Sequence, residues 1–208
     1  AEMILWITIK KLSDYAIVKD MTEVLGVPKT IDNDLAATDH TPGYGSAAKY
    51  IGSITKEVIR DGLVYDQQNV TILEIMGRNA GWLTGAAPLQ SARLEGPDMI
   101  FLPEVTFDVD EFMHKVAELH KKKKSVVVAV SEGKEADGRY VCELTDGIEF
   151  VDAFGHKQLT GTARFLAEKI NREVGCKTRA IEFNSLQRCA SHIVSRVDIT
   201  EAYQVGGA

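Results

Sequence analysis

Long apolar runs are missing from this sequence. No stretch approaches the ~18 residues needed to cross a bilayer, so no membrane partner is expected. The apolar start, AEMILWITIKK, carries its lysines after the apolar part rather than before it. No cleavage pattern follows, so it does not read as a signal peptide. Positive charge is not in excess: 24 Lys and Arg stand against 30 Asp and Glu, for a net charge of -6. That removes the electrostatic case for a nucleic-acid partner. Cysteine is scarce, and Cys142, Cys176 and Cys189 show no C-x-x-C spacing. This implies reduced thiols in a cytoplasmic protein and argues against structural zinc. His40, His114, His120, His156 and His192 share no metal-ligand spacing either. Repeats, low-complexity tracts and long linkers are absent. What remains is ordinary for a soluble globular chain of one large or two small domains: 208 residues, 45% hydrophobic and 26% charged.

Helix-like and strand-like segments alternate along the chain. Residues 8–18 read as a helix end and 23–27 as a buried strand. Residues 45–61 place Ala48, Ile51, Ile54 and Ile59 on one helical stripe. Residues 70–76 form a short apolar strand, followed by a predicted helix over 80–92 entered through Gly77. A strand over 99–102 is stopped by Pro103. Asp108 and Glu111 then form a capping-box pattern that opens a helix to about Lys124, with Phe112, Val116 and Leu119 as its stripe. The four lysines at 121–124 suit the negative end of that helix. Residues 125–133 read as a strand ending in a carboxylate and a glycine. Residues 160–174 read as a helix with Gly175 at C′, 178–183 as a last strand and 189–204 as a last helix. This order predicts an α/β fold, a mostly parallel sheet with helices on both faces.

In such sheets ligands sit beyond the carboxyl ends of strands. Applied here, the rule gathers Lys29, Thr30, Asp32 and Asp34 from one strand end, and Met76, Gly77 and Arg78 from a second. Ser131 and Glu132 come from a third, and the segment 184–188 from a fourth. Alone, Asp32 and Asp34 would be turn or cap residues, and Arg179 and Arg188 surface ion-pair residues. Together they suit a phosphorylated, hydroxyl-rich ligand. Arginine grips phosphate in a bidentate way, and a carboxylate accepts from sugar hydroxyls. One aspartate can take a proton from an alcohol while its neighbour two positions on helps hold Mg²⁺. The residues thus point to a sugar-phosphate phosphotransferase, or a sugar-phosphate binder.

PKTIDND at 28–34, TPGYGSAAKYI at 41–51, EIMGRNAGWLTG at 74–85, SEG at 131–133 and TRAIEFNSLQR at 178–188 resemble the phosphofructokinase family. The resemblance runs from about Lys10 to the end of the chain. It implies the phosphofructokinase-like fold and a glycolytic transfer of a phosphoryl group to fructose 6-phosphate, giving the 1,6-bisphosphate. Asp32 would be the general base for the 1-hydroxyl, with Thr30 and Ile31 beside the transferred group. Asp34 would support Mg²⁺. Met76, Gly77 and Arg78 would line the sugar, Arg78 stabilising transition-state charge. Glu132 would bind a sugar hydroxyl. Arg179, Ser185 and Arg188 would surround the 6-phosphate, one arginine reaching across a subunit interface in a homo-oligomer. Lys29 resembles the pyrophosphate-dependent branch, with ATP as the alternative donor.

The same resemblance implies departures. Asn69 stands where many bacterial members have arginine, and Ser185 where they have histidine. The family's glycine-rich phosphate loop has no room upstream of TIDND, and Met3 and Ile4 fall near its metal and donor-selecting positions. The chain therefore reads as the central and substrate-binding part of a longer enzyme, or as a truncated, non-catalytic sugar-phosphate-binding relative. The expected division puts residues 1–43 and 187–208 in a donor-side domain and 44–186 in a fructose 6-phosphate domain.

Overall fold

The computed structural model describes residues 10–15, 26–89, 96–133, 138–144 and 161–207. Four strands form one sheet: β1 (Asn69–Glu74), β2 (Met99–Phe101), β3 (Ser125–Val130) and β4 (Lys177–Glu182), in the order β2-β3-β1-β4. Every pairing is parallel. Residues 10–15 are helical (α1). They are followed by α2 (Tyr44–Val64), α3 (Trp82–Gly85), α4 (Val109–Lys122), α5 (Thr162–Val174), α6 (Leu186–Cys189) and α7 (Arg196–Gly207). The expected α/β architecture is the one that forms.

Alternation along the strands sorts the core into two layers. Val70 and Ile72 of β1 and Val126, Val128 and Val130 of β3 pack on α4 and α5 through Phe112, Val116, Leu166 and Ile170. Leu73, Val127 and Ala129 face the other way, onto Ala47, Tyr50 and Ile51 of α2 and Leu83 of α3. Both faces are covered, which is why β1 and β3 read as continuous apolar runs. Of the expected α2 stripe, Ile51 is buried and Ile54 and Ile59 pack against this layer, while at its start Ala47 is buried in place of Ala48.

Local signals are met where they are strong. The Asp108 carboxylate accepts from the Glu111 N–H at 2.8 Å and opens α4. The Glu111 carboxylate itself pairs with Lys115 at 2.6 Å. Gly175 ends α5 in the left-handed region, at φ 76°, and its N–H reaches the Asn171 carbonyl.

Three expectations are corrected. The helix expected over 80–92 is a single turn, α3, followed by turns to Leu89; residues 90–92 lie outside the described residues. Pro88 has no N–H, and its ring conflicts with helical placement of the Thr84 carbonyl. That carbonyl is taken instead by Ala87, three residues on. The last helix begins later than expected. One turn, α6, and a 3₁₀ turn at Ser191–Ile193 precede α7, and Ser195 Oγ accepts from the Val197 N–H to start α7 afresh. Of the strand expected over 23–27, residues 23–25 lie outside the described residues. Gly26 and Val27 are not strand, and Val27 is 48% exposed. Pro28 removes a ladder donor next to a flexible glycine, so the segment reaches the site as irregular backbone.

Glu74, the last residue of β1, is buried and points to the α5 layer. Its carboxylate accepts from the Ala163 N–H at 2.7 Å and the Gly161 N–H at 3.1 Å. Burial outweighs these bonds and pushes its pKa up to about 7, with Glu182 and Glu132 adding like charge. A raised folded pKa contributes stability that is complete below the unfolded value and is lost as pH rises through about 7. Denaturant unfolding of wild type and Glu74→Gln across pH 4.5–8 checks this. Relative to the variant, wild type should lose roughly 3 kcal/mol over that window. A difference that does not vary with pH would show that Glu74 titrates normally.

Candidate active site

The segment 28–41 lies outside the sheet, and its Asp32 comes within electrostatic reach of Arg78 and Arg188, which follow β1 and β4. It is closed on itself. The Thr30 hydroxyl oxygen accepts from the Asp32 N–H at 3.2 Å. Asn33 turns the chain in the left-handed region, at φ 58°, and its side-chain oxygen accepts from the Thr41 N–H at 2.8 Å. The Thr41 hydroxyl donates to the Thr30 carbonyl, and Thr41 is fully buried. Ile31 is buried against α2, so it anchors the segment. Asp32 is half-buried and Asp34 exposed. The two aspartates are brought near each other by this turn.

Asp32 is held above the usual carboxylate range, first by burial and then by the charge of Asp34, while Lys29, Arg78 and Arg188 oppose the rise. Lys29, Arg78 and Arg188 thus all lie within electrostatic reach of Asp32. One Asp32 oxygen, Oδ1, is buried with no hydrogen-bond partner. A bare carboxylate oxygen beside three cations is suited to receive a proton from an incoming hydroxyl.

Arg78 arrives from β1 through Gly77. Gly77 has φ 143°, and a Cβ there would stand 2.6 Å from the Ala80 carbonyl oxygen. Its own carbonyl accepts from the Ser131 hydroxyl, which links the ends of β1 and β3. Arg78 Nε then donates to Glu132 Oε2 at 3.2 Å. Burial raises the Glu132 pKa; Arg78 lowers it and Asp32 raises it further.

The end of β4 is fastened by Gln187, which sequence reasoning left without a role although it stands in the quoted TRAIEFNSLQR stretch. Gln187 is 2% exposed. Its oxygen accepts from the Met76 N–H at 3.2 Å, and its amide donates to the Asn184 carbonyl at 2.9 Å. Arg188 lies beside Ser185, with guanidinium and hydroxyl 3.4 Å apart.

Two sequence-predicted positions stand elsewhere. Arg179 is level with Thr71 in mid-sheet. It pairs with Asp61 at 2.8 Å and lies over the Tyr65 ring at 4.8 Å, so this chain does not bring it to Asp32. Asn69 is buried at the start of β1, donating to the Gly62 and Gln67 carbonyls and accepting from Ser125. It ties the end of α2 to the sheet. Met3 and Ile4 lie outside the described residues. Among the described residues no group of three or more His, Cys, Asp or Glu could hold a metal ion, and no helix is long and apolar enough to cross a membrane.

The chain is similar to known proteins over most of its length. A family model described as Phosphofructokinase matches residues 7–207. A pyrophosphate–fructose 6-phosphate 1-phosphotransferase of Xanthomonas campestris is 42% identical over 191 residues, covering 88% of this chain and 44% of that protein. A sulfofructose kinase of Alkalicoccus urumqiensis is 33% identical over 185 residues, covering 88% of this chain and 47% of that protein. The crystal structure of a pyrophosphate-dependent phosphofructokinase from Marinobacter aquaeolei superposes with a TM-score of 0.74 at 34% identity, over 96% of this chain and 46% of that one. The chain spans about half the length of the curated relatives it matches.

Gly77→Ala tests how tightly the site is built. The substitution should destabilise the protein by about 1–3 kcal/mol, the usual cost of a side chain in a backbone region reserved for glycine. Denaturant unfolding measures it. A change within about 0.5 kcal/mol would mean that the turn relaxes and Arg78 is not held by it.

Proposed function

This chain belongs to the phosphofructokinase family, and from that premise we propose that its protein transfers a phosphoryl group from pyrophosphate to the 1-hydroxyl of fructose 6-phosphate. The observation that carries the proposal is the meeting of Asp32, Arg78 and Glu132 beyond the carboxyl ends of β1 and β3. Asp32 takes the hydroxyl proton. Its raised pKa makes it a better base near neutral pH than an exposed carboxylate. Arg78, oriented by Glu132, stabilises charge on the transferred group, where positioning and electrostatics do most of the catalysis. Glu132 accepts from a sugar hydroxyl, and Met76 and Gly77 line the sugar. Arg188 and Ser185 hold the 6-phosphate. Arg179, which faces away from this group, serves a neighbouring subunit's pocket in a homo-oligomer.

Two adjacent carboxylates and an orphaned Asp32 oxygen fit Mg²⁺, which takes one or two carboxylates and completes its shell with phosphate oxygens and water. Asp34 would hold it. When bound, Mg²⁺ neutralises phosphoryl charge. In the domain scheme we favour, residues 1–43 and 187–208 are donor-side, with Arg188 reaching from there to the 6-phosphate, and 44–186 hold the rest of the sugar phosphate, in a cytoplasmic protein. Lys29 supports pyrophosphate over ATP. Pyrophosphate has no nucleoside to bury and needs a cation beside the transferred group. The same lysine obstructs the space that a nucleotide's next phosphate would use.

Two measurements on the natural polypeptide that contains this chain check the reading. Asp32→Asn should reduce phosphoryl transfer ~10²–10⁴-fold while fructose 6-phosphate still binds. The acid limb of the wild-type kcat/KM profile should lie above the ordinary carboxylate range, because the base must be ionised. Retention of more than about a tenth of the rate would remove Asp32 from the role of base. In a coupled assay with each donor, Lys29→Gly should lower pyrophosphate turnover at least about tenfold, or ~1.4 kcal/mol of transition-state stabilisation. A higher kcat/KM with ATP in wild type would reverse the donor assignment. No bisphosphate with either donor would favour a sugar-phosphate-binding module.

A further inference from the structure

Among the described residues the base-bearing segment has no strand partner, so other contacts must hold Asp32 still. Inside the segment the hold is Thr41, whose N–H and hydroxyl close the ring through Asn33 and the Thr30 carbonyl. Past Thr41 the chain runs through Pro42, which has a fixed φ, into Gly43, the N-cap of α2. Here the sequence provides nothing local. Gly43 has no side-chain cap, and the first turn of this 21-residue helix contains no acidic residue.

The missing cap comes from α7. Asp198 Oδ1 accepts from the Gly43 N–H at 2.9 Å, and Oδ2 accepts from the Ser46 N–H at 2.6 Å and from the Ser46 hydroxyl. One carboxylate thus satisfies two orphan amides at the positive end of α2. The fastening is reinforced on both sides. Ser46 Oγ accepts from the Ser195 N–H at 2.9 Å, and Lys49 donates to the Val194 carbonyl at 3.1 Å. His40, next to Thr41, pairs with Glu201 one turn further along α7 at 2.7 Å. Gly45 fits closely under Ser195: a Cβ there would come within 3.3 Å of its hydroxyl.

We propose that Asp198 is a positioning residue for Asp32: by holding Gly43 and Ser46 it fixes Thr41, and through Thr41 and Asn33 it sets where the base stands. The proposal rests on the reading of Asp32 as the general base. The residues assigned to the sugar phosphate stand on other supports: Arg78 and Glu132 at the ends of β1 and β3, Arg188 in α6. Loss of the brace therefore separates base placement from substrate affinity. Small misplacements of a reacting group are costly, on the order of 10²-fold for 1 Å.

The test uses the natural polypeptide that contains this chain, with Asp198→Ala and Asp198→Asn, assayed well below their melting temperatures. Asp198→Ala should lower kcat about tenfold or more and change KM for fructose 6-phosphate by less than about twofold. Asp198→Asn should recover part of that loss, since its amide oxygen still accepts from Gly43. Two readouts do not need turnover. In Asp198→Ala the Thr41 and Ser46 amides should exchange faster, and the Asp32 and Asn33 amide NMR shifts should move. If wild type makes no bisphosphate, the functional reading fails while exchange and shifts still decide the brace. Unchanged Asp32 and Asn33 shifts together with unchanged Thr41 exchange overturn the proposal. So does a loss that appears in KM rather than kcat. If Asp198→Ala does not fold, Asp198→Asn carries the same readouts, and its equality with wild type in all of them overturns it.

Discussion

The parallel register of β1 with both neighbours is the constraint on which the rest of the structure depends. Glu74 is level with Val130 of β3 and with Glu182 of β4. Three chains therefore leave the sheet at one height and in one direction. Both faces beneath are filled by valine, isoleucine, leucine and phenylalanine. Polar side chains can gather only where the strands stop. Gly77, Ser131 and Gln187 then cross-link the three exits by hydrogen bonds. Arg78 meets Glu132 because of that backbone arrangement, and their own attraction comes second.

Three carboxylates at this end of the sheet are pushed upward in pKa by burial, and each is treated differently. Asp32 keeps an oxygen without a partner and is opposed by three cations. Glu132 is satisfied by Arg78. Glu74 is satisfied by backbone N–H groups of α5, with no cation among its influences. Like charges at close range favour protonation of one member. The like charge of Glu182 and Glu132 thus adds to burial in favouring the protonated form of Glu74. A buried carboxylate oxygen without a hydrogen-bond partner among the described residues, as at Asp32, costs stability. Violations of local rules of this kind are expected where function is built.

Much of the fold was legible in the sequence because its signals are local. Asp108 ahead of α4, Gly175 after α5 and the apolar runs of β1 and β3 each act within a few residues. The meeting of Arg78 with Glu132 was also legible, since the strand-end rule converts sequence order into spatial proximity, whereas Asp32 reaches them from a segment outside the sheet. Errors arose where a local pattern met a neighbour's geometry. Pro88 shortened α3 although the apolar spacing continued. Ser195 restarted α7 although 189–204 reads as one helix. Arg179 lies within β4, the strand that Arg188 follows, level with Thr71 and in contact with Asp61 and Tyr65. Strand membership alone does not say which end a side chain serves. Asp198 carried no signal at all, because the groups it satisfies lie some 150 positions earlier in the chain.

That long-range link bears on how the site acquires order. The segment 28–41 makes no ladder hydrogen bonds, and α2 starts without a cap of its own, so neither is complete until α7 is in place. The sheet needs only β1 to β4, with α4 and α5 closing one face by contacts of moderate sequence separation. Joining α7 to the start of α2 spans 155 residues, and pairing β4 with β1 already spans more than a hundred. Loop-closure entropy grows only slowly with length, so chain separation does not rank the two. Their fastening does: the strand ends are held by ladders on both sides of β1, the base-bearing segment by a few side-chain hydrogen bonds. Loosening that segment moves Asp32 without disturbing the strand ends.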